Sequence, residues 1–497
     1  MKIRYSVSGS NAFAPEIIET NEVYKDVAKK MSEIPVWKLP VDVRVENVDD
    51  ESQYVEYNIK DRSGTQFTRE IENTMPDDLT NEISNRYLTC IDESKNSYKK
   101  YVLCVSDAKV GDSESYKNNG DSREFTAFWG RMAVSRGDLF GEKCCTYPLT
   151  MFWPKFYEKI GKGYKDKTEF YFDSEAPKKE EPKKKRGRPR KVSEENKASC
   201  ELFSTLLSWA TNAVKEAKVN APVTEAIIKE SKRLLDEMRK NAEDDDSKSF
   251  ENNLLELMAI LQRPVSTGDG RGVRDMIHSG TMESIIARED DLIQALEGVY
   301  SGKTVEVKGQ FPLDIKVSEA SEEQKEFVLN ELPSHLRCKV KKVYCVNPTK
   351  QQEKFKDYCK RKNITKTKFL WHGSRNQNWL SIVQKSLLIN PSGVSCNGKM
   401  FGWGIYFAPD ADKSWGYTSY YGSRWAGGST GSAFMGLYEC AYGNPYFPNT
   451  SGRYEGFIKN SNYDCVHATS KNTGLCRDEI IFYDEDAICL KYIVEFN

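Results

Sequence analysis

The spacing of apolar residues changes along this chain, and each change marks a change of expected structure. Up to about residue 85, apolar and polar positions alternate in short runs, VDVRV at 41–45 and YVEYNI at 54–59, separated by Pro, Asp and Gly. A period of two is what a half-buried strand needs, so a small strand-containing region without evident function is expected over 1–85. Over 86–173 the runs become rich in aromatic and β-branched residues, YVLCV at 101–105 and FTAFWGRMAV at 125–134, and a β-rich module is expected.

From 194 to 303 the period becomes helical. Leu202, Phe203, Leu206, Leu207, Ala210 and Val214 recur at spacings of three and four, as do Ile227, Ile228, Leu234, Leu235 and Met238, then Leu254, Leu255 and Met258. An all-α bundle follows from that spacing. Ile285, Ile286, Leu292, Ile293 and Leu296 mark a further helix after a Gly-rich turn at 268–272, and the polar run 241–246 (NAEDDD) reads as a loop. Beyond Thr304 the pattern mixes strand and helix: VEV at 305–307, KVKKVYCV at 339–346, a helix ending near Arg361, and a last strand, CLKYIVEF, at 489–496.

Composition narrows the classes. At 497 residues the chain should hold three or four domains, and 38% hydrophobic with 11% aromatic residues is enough for several cores. Lys and Arg number 73 against 74 Asp and Glu, so any case for a nucleic-acid partner must rest on local clustering. The thirteen cysteines contain no CxxC pair, which indicates neither a disulfide framework nor a zinc site; no metal is expected, and a reducing compartment fits. The N-terminus lacks an apolar core of signal-peptide length, and no run of about 18 apolar residues occurs. A soluble, intracellular protein with no membrane partner is expected.

One local cluster stands out. PKKEEPKKKRGRPRK at 177–191 holds nine Lys or Arg, two acids and three prolines; it cannot pack a core, and 174–193 is expected to be an extended linker. Its centre, Gly187-Arg188-Pro189 flanked by Arg186 and Arg190, is similar to an AT-hook. Glycine permits close approach to a minor-groove floor, proline keeps the chain extended, and arginines enter the negative potential of a narrow A·T groove. The same run would serve nuclear import in a cell that has a nucleus, and the protein would otherwise be cytoplasmic.

The C-terminal stretch carries the chemistry. KFLWHGSR (368–375) sets His372 and Gly373 at the end of an apolar strand; MFGWGIYFAP (400–409) gives a Gly-flanked strand; DKSWGYTS (412–419) follows, and RDEIIFYD (477–484) comes near the end. In order and approximate spacing these motifs resemble the catalytic domain of poly(ADP-ribose) polymerases over 304–497. Trp129-Gly130-Arg131, followed by WPKFYEKIGKGYKDK (153–167), resembles the WGR domain that accompanies many of those enzymes, and the helical segment resembles their regulatory domain.

The resemblance implies a multidomain α+β protein: a small WGR-like domain over 86–173, an all-α bundle over 194–303, and a mixed α/β ADP-ribosyltransferase fold of two packed sheets over 304–497. It implies a His372, Tyr406, Glu479 triad, with NAD+ as substrate and no bound cofactor. Gly373 would meet the nicotinamide carboxamide, with Ser374 and Arg375 beside it. Ser414 would add a hydroxyl, and Tyr417 would stack opposite Tyr406. Trp129 and Arg131 would face DNA or neighbouring domains, and protein acceptors would include the enzyme itself.

These residue types suit the reaction. Breaking the nicotinamide–ribose bond develops positive charge on the sugar, which a carboxylate stabilises, as in glycoside hydrolysis. Glu479 fills that role and would also deprotonate an acceptor hydroxyl. Two tyrosines can sandwich a cationic pyridinium for about 0.5–2 kcal/mol each, and a histidine of fixed tautomer can orient a ribose hydroxyl. The resemblance implies that a Glu at 479 leans towards polymer, as in family members that hold Glu there. Trp403, where many chain-forming members carry Lys, leans away from it, and the Gly/Ser-rich segment 419–432 leaves acceptor preference open. A mono-ADP-ribosyltransferase and a non-catalytic DNA- and NAD- or ADP-ribose-binding protein are the alternatives.

Overall fold

The computed structural model describes residues 1–9, 13–34, 40–59, 82–92, 97–110, 114–120, 122–132, 139–171, 194–263, 280–304, 311–389, 400–420 and 430–497. The basic linker with Arg186, Gly187, Arg188, Pro189 and Arg190, the Gly-rich turn at 268–272 and the VEV strand at 305–307 lie outside them. Contacts group the chain into two compact units: Met1–Glu180 with Lys218–Ile227 and Leu255–His278, and Glu181–Ala217 with Ile228–Leu254 and Ser279–Asn497.

In the first unit, β1 (Lys2–Gly9), β2 (Phe13–Glu19), β3 (Val41–Asn47) and β4 (Tyr54–Ile59) form an antiparallel sheet ordered β2-β1-β3-β4, with helix α1 (Val23–Glu33) after β2. Strands β5 (Arg86–Asp92) and β6 (Ser97–Cys104) are followed by the small hairpin of β7 (Ala108–Val110) and β8 (Glu114–Tyr116). Then come β9 (Glu124–Met132), β10 (Leu139–Pro148), helix α2 (Phe152–Gly161) and β11 (Lys165–Asp166); the second sheet is ordered β10-β9-β6-β5-β11. The period-two pattern buries Ile3, Tyr5 and Val7 from β1 and Val41, Val43 and Val45 from β3. They join Leu88, Leu103 and Phe125 of the second sheet and Phe152, Trp153 and Phe156 of α2 in one continuous core.

Trp153 is the hub of that core. It is fully buried, stacks on Tyr24 at 5.2 Å and meets Phe152, Phe156 and Tyr157 at 5.1–5.7 Å. In the same unit the Tyr98 and Tyr171 hydroxyls donate to the carbonyls of Ala259 and Ile260, groups that a helix end leaves unsatisfied. Lys165 and Lys167 hold Glu256 at 2.8 and 2.6 Å.

The helical stripes appear as α3 (Glu194–Glu216), α4 (Glu225–Glu243), α5 (Ser247–Ile260) and α6 (Met282–Thr304). The loop expected at 241–246 begins later, because Asn241–Glu243 complete the last turn of α4, where Asn253 Nδ2 donates to Asn241 Oδ1 at 2.8 Å. Leu202, Phe203 and Leu206 of α3 belong to the same core as Phe311, Tyr344, Trp379 and Ile493.

The remainder of the second unit holds two sheets. Strands β12 (Ile315–Glu319), β13 (Val340–Pro348), β14 (Lys368–Gly373), β16 (Ala433–Cys440) and β20 (Ile488–Phe496) form one, ordered β12-β13-β20-β16-β14; β15 (Ile405–Phe407), β17 (Pro445–Tyr446), β18 (Cys465–Ala468) and β19 (Glu479–Phe482) form the other, ordered β15-β19-β18-β17. Helix α7 (Glu322–Asn330) starts in a capping box of Ser321 and Gln324; α8 (Thr349–Lys362) ends at Asn363 in the left-handed region, and α9 (Trp379–Lys385), α10 (Ala411–Trp415) and α11 (Glu455–Lys459) are short connectors. The sheets meet where Trp371 N donates to Ala408 O at 2.9 Å and Ala408 N to Trp371 O at 3.0 Å. Among the described residues no helix is long and apolar enough to cross a membrane.

Replacing Trp153 by Ala should destabilise the first unit by about 3–5 kcal/mol. Native-state hydrogen exchange should show it as faster opening of β6 and β9 amides.

Candidate active site

Three strand ends converge beside the junction of the two sheets. His372 lies one residue past Trp371 on β14, and its Nδ1 is 3.0 Å from the Tyr406 carbonyl on β15. A carbonyl only accepts, so Nδ1 carries the hydrogen and Nε2 is left as an acceptor. Burial pushes the imidazole down to about 4, against the backbone bond to Tyr406 that raises it, so the ring is neutral near pH 7. Phe407, Tyr438 and Trp379 surround it at 5.7–6.4 Å.

Gly373 is required by its neighbour. A Cβ at 373 would overlap the Ser414 carbonyl oxygen, which also accepts from Tyr417 N at 3.1 Å. Ser414 is buried on α10 and donates its Oγ hydrogen to Trp371 O at 2.9 Å, which leaves its lone pairs available to accept. Tyr417 follows, 41% exposed. Tyr406 donates to Gly402 O at 2.8 Å and accepts from Phe401 N at 3.0 Å, and burial raises the hydroxyl of each tyrosine above the usual range.

Glu479 is the first residue of β19, opposite Ala468 of β18, and is 7% exposed. Lys413 Nζ, on α10, sits 2.8 Å from Glu479 Oε1 and donates to Arg477 O at 2.8 Å. Glu479 Oε2 is buried with no hydrogen-bond partner. One oxygen is thus anchored and the other is desolvated and unpaired. Lys413 was not singled out from the sequence, although it immediately precedes Ser414; nothing local signals that it reaches β19.

Ser374 and Arg375 turn towards the helices instead of the tyrosines. Ser374 Oγ accepts from Asn378 Nδ2 at 3.1 Å, and that same amide donates to Asp291 of α6 at 2.8 Å. Arg375 is buried, with Nε 3.9 Å from Asp291 Oδ2. Burial raises the Asp291 carboxyl to about 6, with Asn378 opposing the shift. In sequence Asp291 lies 84 residues before Arg375, and no sequence motif pointed to it. Glu297, two turns further along α6, pairs with Lys385 at 2.8 Å and Lys232 at 2.6 Å. Trp403 is 9% exposed.

Trp129 and Arg131 belong to β9 of the first unit. Trp129 is half-buried and stacks on Tyr101 at 5.8 Å; Arg131 is exposed. Lys99 is opposite Arg131, and Lys143 opposite Trp129, so this sheet face pairs aromatic and basic residues. Among the described residues no group of three or more His, Cys, Asp or Glu side chains is arranged to hold a metal ion.

A neutral histidine, two tyrosines and an anchored carboxylate thus meet at the joint of the two sheets. Residues 318–497 match the family model of the poly(ADP-ribose) polymerase catalytic domain. The poly(ADP-ribose) polymerase-like protein 100L of Invertebrate iridescent virus 6 is 32% identical over 166 residues, 31% of this chain and 85% of that protein. The Drosophila melanogaster poly(ADP-ribose) polymerase is 32% identical over 189 residues, covering 37% of this chain and 17% of its own length. The Caenorhabditis elegans tankyrase is 38% identical over 81 residues, covering 16% and 3%. The chain belongs to the poly(ADP-ribose) polymerase family, and its C-terminal region is an ADP-ribosyltransferase domain that uses NAD+ as substrate.

His372 supplies a pH test. Its folded value, about 4, lies below the ordinary 6.5, so the unfolded chain takes up the proton first. Stability should therefore fall by about 3 kcal/mol as pH drops from about 6.5 to about 4, and level off below. Urea unfolding across that range should show this loss in the wild type and its absence in His372→Asn.

Proposed function

We propose that this protein builds poly(ADP-ribose) on protein acceptors, itself included, and that DNA stimulates it. The observation that carries the chain-forming reading is Glu479, with Oε1 on Lys413 and Oε2 buried and unpaired. That oxygen meets the nicotinamide ribose while the glycosidic bond breaks, stabilising the positive sugar, and then orients and deprotonates an incoming hydroxyl. His372 Nε2 accepts from a ribose hydroxyl and moves no proton. The Gly373 backbone and the Ser414 lone pairs take the carboxamide, with the ring between Tyr406 and Tyr417.

DNA dependence rests on separate features. The Trp129, Arg131, Lys99 and Lys143 face and the Arg186–Arg190 motif provide aromatic and cationic groups for a phosphate backbone and a minor groove. On α6, Asp291 occupies the approach to Arg375 and Asn378, so a helical domain that loosens on DNA binding would free the NAD+ side of the site. In a nucleated cell this activity would be nuclear. One observation favours a mono-transferase instead: the buried Trp403 puts no cation beside the tyrosine strand.

Labelled NAD+ with and without nicked DNA, resolved on a denaturing gel, decides between them. A DNA-dependent ladder that shrinks to single additions or nothing in Glu479→Gln, with turnover down about 10²–10³-fold, is expected; single additions by the wild type would select the mono-transferase. Asp291→Ala should raise the DNA-free rate and shrink the stimulation ratio, and an unchanged ratio would remove α6 from the coupling.

A further inference from the structure

Among the described residues, two carboxylate oxygens are buried without a hydrogen-bond partner: Glu479 Oε2 and Glu455 Oε2. Both carboxylates border Tyr406, whose hydroxyl is raised first by burial and then by the charges of Glu479 and Glu455. Glu479 has its role. Glu455, the first residue of α11, has none.

Its position is built into the backbone. Gly402 adopts φ +87°, and the Glu455 carboxylate lies where a side chain at 402 would be, since a Cβ there would overlap Oε2. The carbonyl of the same glycine accepts from Tyr406, so Glu455 is tied to the phenol end of the tyrosine that borders the reacting centre. No hydrogen bond or ion pair to a described residue holds Glu455. The adjacent cation, Arg453, is turned to Glu243 at 3.4 Å. A desolvated carboxylate oxygen without a partner is costly until a donor reaches it.

NAD+ offers neutral hydroxyl and amino donors at its adenosine end, but no cationic N–H to pair with a carboxylate. Its pyrophosphate is repelled by an uncompensated carboxylate, and its carboxamide and nicotinamide ribose are occupied by Gly373, Ser414, His372 and Glu479. The second substrate remains. We propose that Glu455 is an acceptor-recognition residue that receives a Lys or Arg side chain flanking the modified position of a protein, so that first transfers fall on basic segments. This rests on the transferase reading, and not on chain growth.

The test uses the full-length protein with labelled NAD+ and two peptides carrying the same Ser, Asp and Glu acceptors, flanked by Lys in one and by Gln in the other. The wild type should modify the Lys-flanked peptide about tenfold faster, as expected for loss of a close charge pair. Glu455→Gln should erase that ratio while nicotinamide release without peptide is unchanged, and Glu455→Lys should invert it in favour of the Gln-flanked peptide. Equal rates in the wild type, modification of neither peptide, or an undiminished ratio in Glu455→Gln would each overturn the proposal. So would a Glu455→Gln protein that loses nicotinamide release, because Glu455 would then belong to NAD+ handling. A wild type that releases no nicotinamide would instead sink the transferase reading itself.

Discussion

Two backbone hydrogen bonds between Trp371 and Ala408 join the sheets of the catalytic region, and the geometry of the site hangs from them. They set the end of β14 against the end of β15, which brings the His372 ring to the Tyr406 carbonyl. Trp371 O also takes the Ser414 hydroxyl, so this one carbonyl fixes a strand of the other sheet and the helix that carries Lys413. A carbonyl has two lone pairs, and both are used here. Because Trp371 is fully buried, water cannot compete for either bond.

The helical region is bolted to that site by charge as well as by apolar packing. Glu297 is held by Lys232 on one side and Lys385 on the other, and the buried Arg239 lies between Asp236 and Asp290 at 2.8 Å each. The central charge of each trio is buried and its two partners are partly exposed, so losing one partner leaves the other in place. Contacts of this kind resist gradual deformation. They favour a helical region with a few discrete arrangements over one that drifts.

What could be read in the sequence follows from where the information lies. The stripes at 202–214 and 285–296, the alternation at 41–45 and the aromatic and β-branched run at 101–105 are local, and the expected helices and strands formed there. His372, Tyr406 and Glu479 each sit in a motif with its own neighbours, and the structure brings the three to one junction. The Lys413–Glu479 pair, the Asp291–Arg375 approach and the Glu455–Gly402 contact join positions 53 to 84 residues apart, which no periodicity encodes. Periodicity is equally silent on which sheets share a core: β1 and β3 join β5, β6 and β9 around Trp153, although the sequence suggested a divide near residue 85.

The bond from His372 Nδ1 ends on the main chain of Tyr406 and not on its ring. The protonation pattern of the imidazole is therefore indifferent to which side chain stands at 406, so long as the strand keeps its place. Ring chemistry at 406 and proton placement at 372 can vary separately, and descendants of this sequence are free to retune the phenol without disturbing the tautomer of the imidazole.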